Sequence, residues 1–217
     1  MTRAKLHVGV GGPVGSGKTA LIEAIVPRLI AAGDGVLIVT NDIVTTEDAE
    51  HVRRTLAGML MPARIVGVET GTCPHSAVRE DPSVNLIAMA DLETRFPDAD
   101  WLFLESGGDN LTLTFSAAVA DISIYVIDVA GGEKIPRKRG PGVIKADLLV
   151  VNKTDLADLV GASLDVMARD SDVVRNGRRT IFTNCRTGEG VDDVVQWLRT
   201  VHAQREPKED AVAGNRS

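Results

Sequence analysis

Short runs rich in Val, Ile and Leu alternate along the 217-residue chain with longer stretches whose apolar positions recur at helical spacing. Such alternation predicts repeated β-α-β units and a parallel sheet. Strands are expected over 6–10, 36–40, 64–68, 101–104, 122–127, 148–151 and 180–183. Several of these are apolar at nearly every position, as strands covered by helices on both faces must be. Helices are expected over 18–32, closed by Gly33; over 47–60, closed by Pro62; over 83–95, closed by Pro97; and over 191–204. No internal repeat or linker interrupts the pattern, and 131–142, with its basic Arg137, Lys138 and Arg139, is the one long loop. The expected architecture is a single α/β domain over 1–204, a mostly parallel sheet with helices on both faces, followed by a frayed polar tail over 205–217.

Composition narrows the class. Hydrophobic residues make up 44% of the chain and aromatics only 3%, so the core must be built from Val, Ile, Leu and Ala. With 24 Lys plus Arg against 30 Asp plus Glu, the formal charge of -6 argues against a polybasic nucleic-acid binder. No uncharged run approaches the roughly 18 apolar residues that span a bilayer. Arg3 and Lys5 are followed by Gly9, Gly11, Gly12 and Pro13 rather than by the apolar region of a signal peptide. Two cysteines, Cys73 and Cys185, cannot form a disulfide framework and point to a reducing, cytoplasmic setting. The expectation is a protein with no nucleic-acid partner and no membrane.

Gly12-Pro13-Val14-Gly15-Ser16-Gly17-Lys18-Thr19 fits G-x-x-x-x-G-K-[ST] and lies between an expected strand and an expected helix. Its glycines let backbone N–H groups curl around phosphates, and the helix N-terminus adds partial positive charge. Lys18 would reach the β- and γ-phosphates and the Thr19 hydroxyl would bind Mg²⁺; the alternative is a flexible Gly-rich turn. Asn152-Lys153-Thr154-Asp155 follows an apolar strand, where a guanine reader belongs. The Asp155 carboxylate can accept from guanine N1–H and N2–H₂, which adenine does not offer, and a mismatched buried polar pair costs a few kcal/mol. Alone, that tetrad also suits an exposed turn and helix cap. Asn184, at the end of the next strand, adds backbone contacts to the base, and Cys185 reads as packing.

Asp42 and Glu69 each end a strand, on the carboxyl edge of the sheet where α/β ligands bind. Both are Mg²⁺ candidates, because the ion takes carboxylates beside substrate phosphates, and both also suit helix caps. Glu47 by itself is ordinary acidic placement at a helix start. Glu105 could orient water around Mg²⁺ or simply end its strand in a tight turn. In Cys73-Pro74-His75 the proline disfavours helix at Cys73, and in an extended segment residues i and i+2 point to the same side, so thiolate and imidazole could share a metal. Two ligands do not complete a four-coordinate site; a two-fold dimer would supply two more. The set suits square-planar Ni²⁺ or tetrahedral Zn²⁺.

Together GPVGSGKTAL, TNDI with TTEDAE, ETGTCPHSAVREDPSVN, ESGGDNL, IDVAGGEKIPRKRGPG and NKTDL resemble the urease accessory GTPase family, the nickel-delivering members of the signal-recognition-like P-loop GTPases. The resemblance spans residues 5 to about 200. It implies a P-loop NTPase fold that binds GTP at residues 12–19 and hydrolyses it slowly. It further implies Mg²⁺ on Thr19, Asp42 and Glu69, water activation by Glu47, and Ni²⁺ on Cys73 and His75 across a GTP-dependent homodimer. The implied partners are the urease apoprotein and other urease accessory proteins. One position departs from the family: Val44 stands where a Tyr is usual, removing a ring that would touch nucleotide or the dimer partner. Three other readings compete. A hydrogenase-maturation nickel GTPase would carry metal-binding residues before the phosphate loop, and only 11 residues precede Gly12. A P-loop small-molecule kinase leaves Cys73-Pro74-His75 unexplained, and a non-catalytic scaffold would hold nucleotide without turnover.

Overall fold

The computed structural model describes residues 5–42, 47–70 and 76–205. Seven strands, β1 (Leu6–Gly11), β2 (Val36–Asp42), β3 (Ile65–Glu69), β4 (Trp101–Glu105), β5 (Ile122–Asp128), β6 (Leu148–Asn152) and β7 (Thr180–Phe182), form one sheet in the order β3-β2-β4-β1-β5-β6-β7. Every pairing is parallel, so the expected α/β class holds. Among the described residues the helices are α1 (Lys18–Ala31), α2 (Glu47–Thr55), α3 (Ser83–Arg95), α4 (Pro141–Lys145), α5 (Leu164–Arg175) and α6 (Val191–Arg205).

The sheet divides the core in two because successive strand side chains point to opposite faces. In β4, Trp101 and Phe103 join Leu21, Ile25 and Leu29 of α1 and Val194 and Leu198 of α6 on one face. Leu102 and Leu104 join Met89 and Leu92 of α3 and Met167 of α5 on the other. Strands sandwiched in this way have no solvent face, which is why they read as continuous apolar runs.

Five strands run past the expected boundaries into a polar residue: Asp42, Glu69, Glu105, Asp128 and Asn152. Ladder hydrogen bonding continues while the side chain turns polar, so each strand delivers a functional group to the carboxyl edge. Helix α2 stops at Thr55 rather than near Leu60, because Gly58 takes a left-handed φ of 81° soon after. Helix α5 was not expected. It starts where the Ser163 hydroxyl accepts from the Val166 N–H at 3.3 Å and ends at Asn176 in the left-handed region. The long loop before β6 contains α4, with Pro141 in its first turn. No described helix is long and apolar enough to cross a membrane.

Candidate functional site

Strand β1 is central, and the chain leaves its carboxyl end to form loop 12–19 before entering α1, at the point where connections diverge to the two halves of the sheet. Gly17 ends the loop with φ 98° and ψ 31°, a conformation costly for any residue with a Cβ, and a Cβ there would strike the Asn152 side-chain nitrogen. That contact is the join between the two nucleotide motifs. Asn152 Nδ2 donates to the Ser16 carbonyl at 3.1 Å, while its Oδ1 accepts from the Thr183 hydroxyl and the Cys185 N–H at 3.1 and 3.2 Å. Lys153, itself in the left-handed region at φ 61°, donates to the Gly15 carbonyl at 2.5 Å and pairs with Asp128 at 3.2 Å. Lys18 is only 7% exposed, and its ammonium donates to the Pro13 carbonyl at 3.2 Å.

Gly17, Ala20, Asn152, Lys153, Asp155, Leu156, Asn184, Cys185 and Arg186 line a cavity of about 350 Å³ beside the loop. Asp155 therefore stands in a pocket shared with the phosphate loop. Its Oδ2 accepts from Arg186 Nη2 at 2.7 Å. Asn184 Oδ1 accepts from the Arg186 and Thr187 N–H groups at 3.1 and 3.4 Å, so this side chain builds the turn that closes the pocket. Cys185 packs against the core, and burial pushes its thiol pKa up, as expected of a packing cysteine.

Glu105 belongs to this site. It is 2% exposed, its strand runs beside β1 with Val10 in register, and its Oε1 accepts from the Thr19 hydroxyl at 2.7 Å. Burial pushes its carboxyl pKa up to about 7, with the Thr19 hydrogen bond and the nearby Lys18 charge opposing that rise. Glu105 Oε2, Ser106 Oγ and Ser16 Oγ are buried with no hydrogen-bond partner among the described residues. Unpartnered hard oxygens beside a phosphate loop are the ligand type Mg²⁺ takes, so this donor set fits the ion.

Asp42 and Glu69 are register partners at the ends of β2 and β3, one and two strands beyond Glu105. The Thr70 N–H and hydroxyl both donate to the Asp42 carbonyl, at 2.9 and 3.0 Å. Glu47 is exposed at the start of α2, whereas Asp48 is half-buried and electrostatically coupled inward. Burial and then Asp42 raise the Asp48 pKa, and Lys18 opposes them. Val44, Cys73 and His75 lie outside the described residues. Among the described residues no cluster of three or more His, Cys, Asp or Glu side chains could hold a metal.

A buried polar chain runs from β4 through β2 to Ala77, in the turn Ser76–Val78. Asn41 Nδ2 donates to the Glu105 carbonyl at 2.9 Å, and Asn85 Nδ2 donates to Asn41 Oδ1 at 2.9 Å and to the Ala77 carbonyl at 2.7 Å. Asn85, Asp109 and Asp128 had no assigned role in the sequence; a polar residue inside or just past an apolar stretch was the available signal.

Residues 6–182 match the family model described as CobW/HypB/UreG, nucleotide-binding domain. The chain is 66% identical over 192 residues to the urease accessory protein UreG 2 of Methylorubrum extorquens (strain PA1), covering 88% of this chain and 89% of that protein. Among solved structures, the hydrogenase maturation factor HypB from Archaeoglobus fulgidus superposes with a TM-score of 0.72 at 26% identity, over 91% of this chain and 90% of that one. HypB from Helicobacter pylori in complex with nickel superposes with a TM-score of 0.77 at 16% identity, over 96% and 92%.

Proposed function

The chain belongs to the CobW/HypB/UreG family of nucleotide-binding proteins, and from that membership we propose that it is the urease-maturation member: a GTPase that delivers nickel to the urease active site. The relative at 66% identity is a urease accessory protein, whereas the hydrogenase-maturation factors share the fold at 26% and 16%. The observation that carries the guanine reading is the Asn152–Ser16 hydrogen bond, which sets Asp155 in a pocket continuous with the phosphate loop.

Hydrolysis is attack of water on the γ-phosphorus of GTP. The loop amides and the N-terminus of α1 hold the phosphates, and the Lys18 ammonium exchanges the Pro13 carbonyl for phosphate oxygens as their charge grows. Thr19, Asp42 and Glu69, with Glu105 behind the Thr19 hydroxyl, would hold Mg²⁺. When bound, that ion neutralises charge on the β- and γ-oxygens. Glu47, at the start of α2, orients the attacking water. Asp155 accepts from the guanine edge once Arg186 shares or releases its oxygen. Nickel is cargo: Cys73 and His75 from two chains enclose it in a GTP-dependent homodimer in the cytoplasm, with the urease apoprotein and other urease accessory proteins as partners.

The test compares GDP with ADP binding in the parent protein and in Asp155→Ala. The parent should prefer the guanine nucleotide, and the variant should lose at least tenfold of that preference, about 1.4 kcal/mol. Equal affinity of the parent for both nucleotides would sink the assignment.

A further inference from the structure

The stretch after Glu105 does not leave the site. Residues 107–111 run along the outside of the phosphate loop: Pro13 and Asp109 form a parallel bridge, and the Asp109 N–H donates to the Gly12 carbonyl at 3.3 Å. Gly12 is the residue at which the chain turns out of β1. Its φ is 147°, and a Cβ there would strike the Val126 carbonyl, so no larger residue can occupy the turn. Its N–H donates to Asp109 Oδ2 at 3.0 Å.

Asp109 is 9% exposed, and among the described residues no Lys, Arg or His forms an ion pair with it. Three donors hold the carboxylate in place of a cation: the Gly12 N–H, the Leu111 N–H at 2.7 Å, and the Tyr125 hydroxyl. Tyr125 is 2% exposed, and burial pushes its phenol pKa up, so it remains a donor. Leu111 supports the same arrangement from the other end. It sits in the left-handed region at φ 76°, unfavourable for a branched residue, and its carbonyl accepts from the Gly142 N–H at 3.0 Å. Buried carboxyl oxygens need hydrogen-bond partners. Here the donors are fixed to β1, β5 and the segment itself.

We infer that Asp109 is a positioning residue for nucleotide binding: it touches no phosphate, but it fixes the first peptide of the phosphate loop so that the amides beyond Gly12 stand ready for the ligand. This rests on the nucleotide-site reading above. Loss of the carboxylate leaves the Gly12 N–H without its acceptor and frees the loop at its entry, so ordering it falls to the nucleotide. Removal of the Tyr125 hydroxyl leaves the Gly12 bond in place.

The experiment uses the full chain with Asp109→Ala, Asp109→Asn and Tyr125→Phe. Mg²⁺–GDP dissociation constants, GTP turnover and ligand-free melting are measured, with binding read well below the lowest melting temperature. Asp109→Ala should weaken GDP at least tenfold and raise KM for GTP by a similar factor, with kcat within about threefold of the parent. Asp109→Asn, whose single oxygen cannot serve all the donors, should fall between Ala and parent. Tyr125→Phe should melt earlier yet bind GDP within about threefold of the parent. Parent-like GDP affinity in folded Asp109→Ala or Asp109→Asn overturns the inference. Failure of both Asp109 variants to fold, or an equal loss of affinity in Tyr125→Phe, overturns it too, by making Asp109 a purely structural residue. A parent that bound no guanine nucleotide would instead remove the underlying reading.

Discussion

Glu105 brings two oxygens into the interior and the described chain supplies a partner for one of them. Thr19 donates to Oε1, Oε2 has none, and burial lifts the carboxyl pKa from an ordinary 4.5 to about 7. A carboxyl whose pKa is higher folded than unfolded binds its proton more tightly in the native state. Its contribution to stability is therefore complete below about pH 4.5 and is lost as pH rises through about 7. Glu105→Gln removes that slope, because the amide stays neutral and its oxygen can still accept from Thr19. Without nucleotide and Mg²⁺, the variant and parent should melt together near pH 5, and the variant should be more stable by roughly 1–3 kcal/mol above pH 8. At this chain length each kcal/mol corresponds to about 2–4 °C. The same variant should bind Mg²⁺–GTP more weakly, since its neutral oxygen cannot help hold the cation. A pH-independent difference in melting, tracked by scanning calorimetry from pH 5 to 8.5, would show that Glu105 is already ionised in the ligand-free protein.

At the scale of elements, one buried amide adds a polar tie between α3 and the sheet to the apolar packing of Met89 and Leu92. Asn85 is fully buried, and its amide joins β2 through Asn41 to the turn Ser76–Val78 through Ala77. Asn85→Ala leaves the Asn41 and Ala77 oxygens without that donor, costing about 1–3 kcal/mol if they stay dry. Amide exchange should then rise at Arg79 and Asp81, whose N–H groups donate to the Ser76 carbonyl in that turn, and at Leu86 in the first turn of α3, while β5 and β6 stay protected; unchanged exchange at Arg79 and Asp81 would mean the tie carries no strength. Such ties also mark the limit of what the sequence shows. The strands were legible because burial on both faces makes them apolar throughout. The expected ranges stop one or two residues short because Asp42, Glu69, Glu105, Asp128 and Asn152 change polarity without leaving the ladder, although Asp42, Glu69 and Glu105 were legible as strand-end acids. Helix α5 was hidden by Asp165, Arg169, Asp170 and Asp172 among its apolar positions, although the Ser163 cap and Asn176-Gly177 marked both ends. Within the site, residues 12–19 and the guanine tetrad were legible because each is contiguous. Asp109, Asn85 and Asp128 were not, because their partners Gly12, Asn41 and Lys153 lie 97, 44 and 25 residues away.

For the whole molecule, one sheet edge carries the entire proposed cycle. The phosphate loop sits at the centre on β1, the guanine pocket lies over β6 and β7, and the segment that continues to Cys73 leaves from β3, the strand at one end of the sheet. Thr70 bonds to the Asp42 carbonyl at the start of that segment, and the Asn85–Asn41 link reaches the Glu105 carbonyl from its other side. Both flanks are thus attached to strand ends that carry proposed Mg²⁺ ligands. Cys73 lies only four positions after Glu69, so a shift at the γ-phosphate needs no long path to reach the proposed nickel ligands. One chain offers a thiolate and an imidazole, half of a four-coordinate set, so tight nickel binding should require two chains. The expected outcome, from mass and metal analysis with a nonhydrolysable GTP analogue and Mg²⁺, is one Ni²⁺ per two chains. Cys73→Ala and His75→Ala should each abolish that stoichiometry while leaving GDP affinity within about threefold, because neither residue belongs to the proposed nucleotide site. With GTP in place of the analogue, nickel should be released on the timescale of phosphate production. Tight nickel binding by GTP-bound monomers, insensitive to either substitution, would place the cargo site elsewhere and uncouple it from hydrolysis.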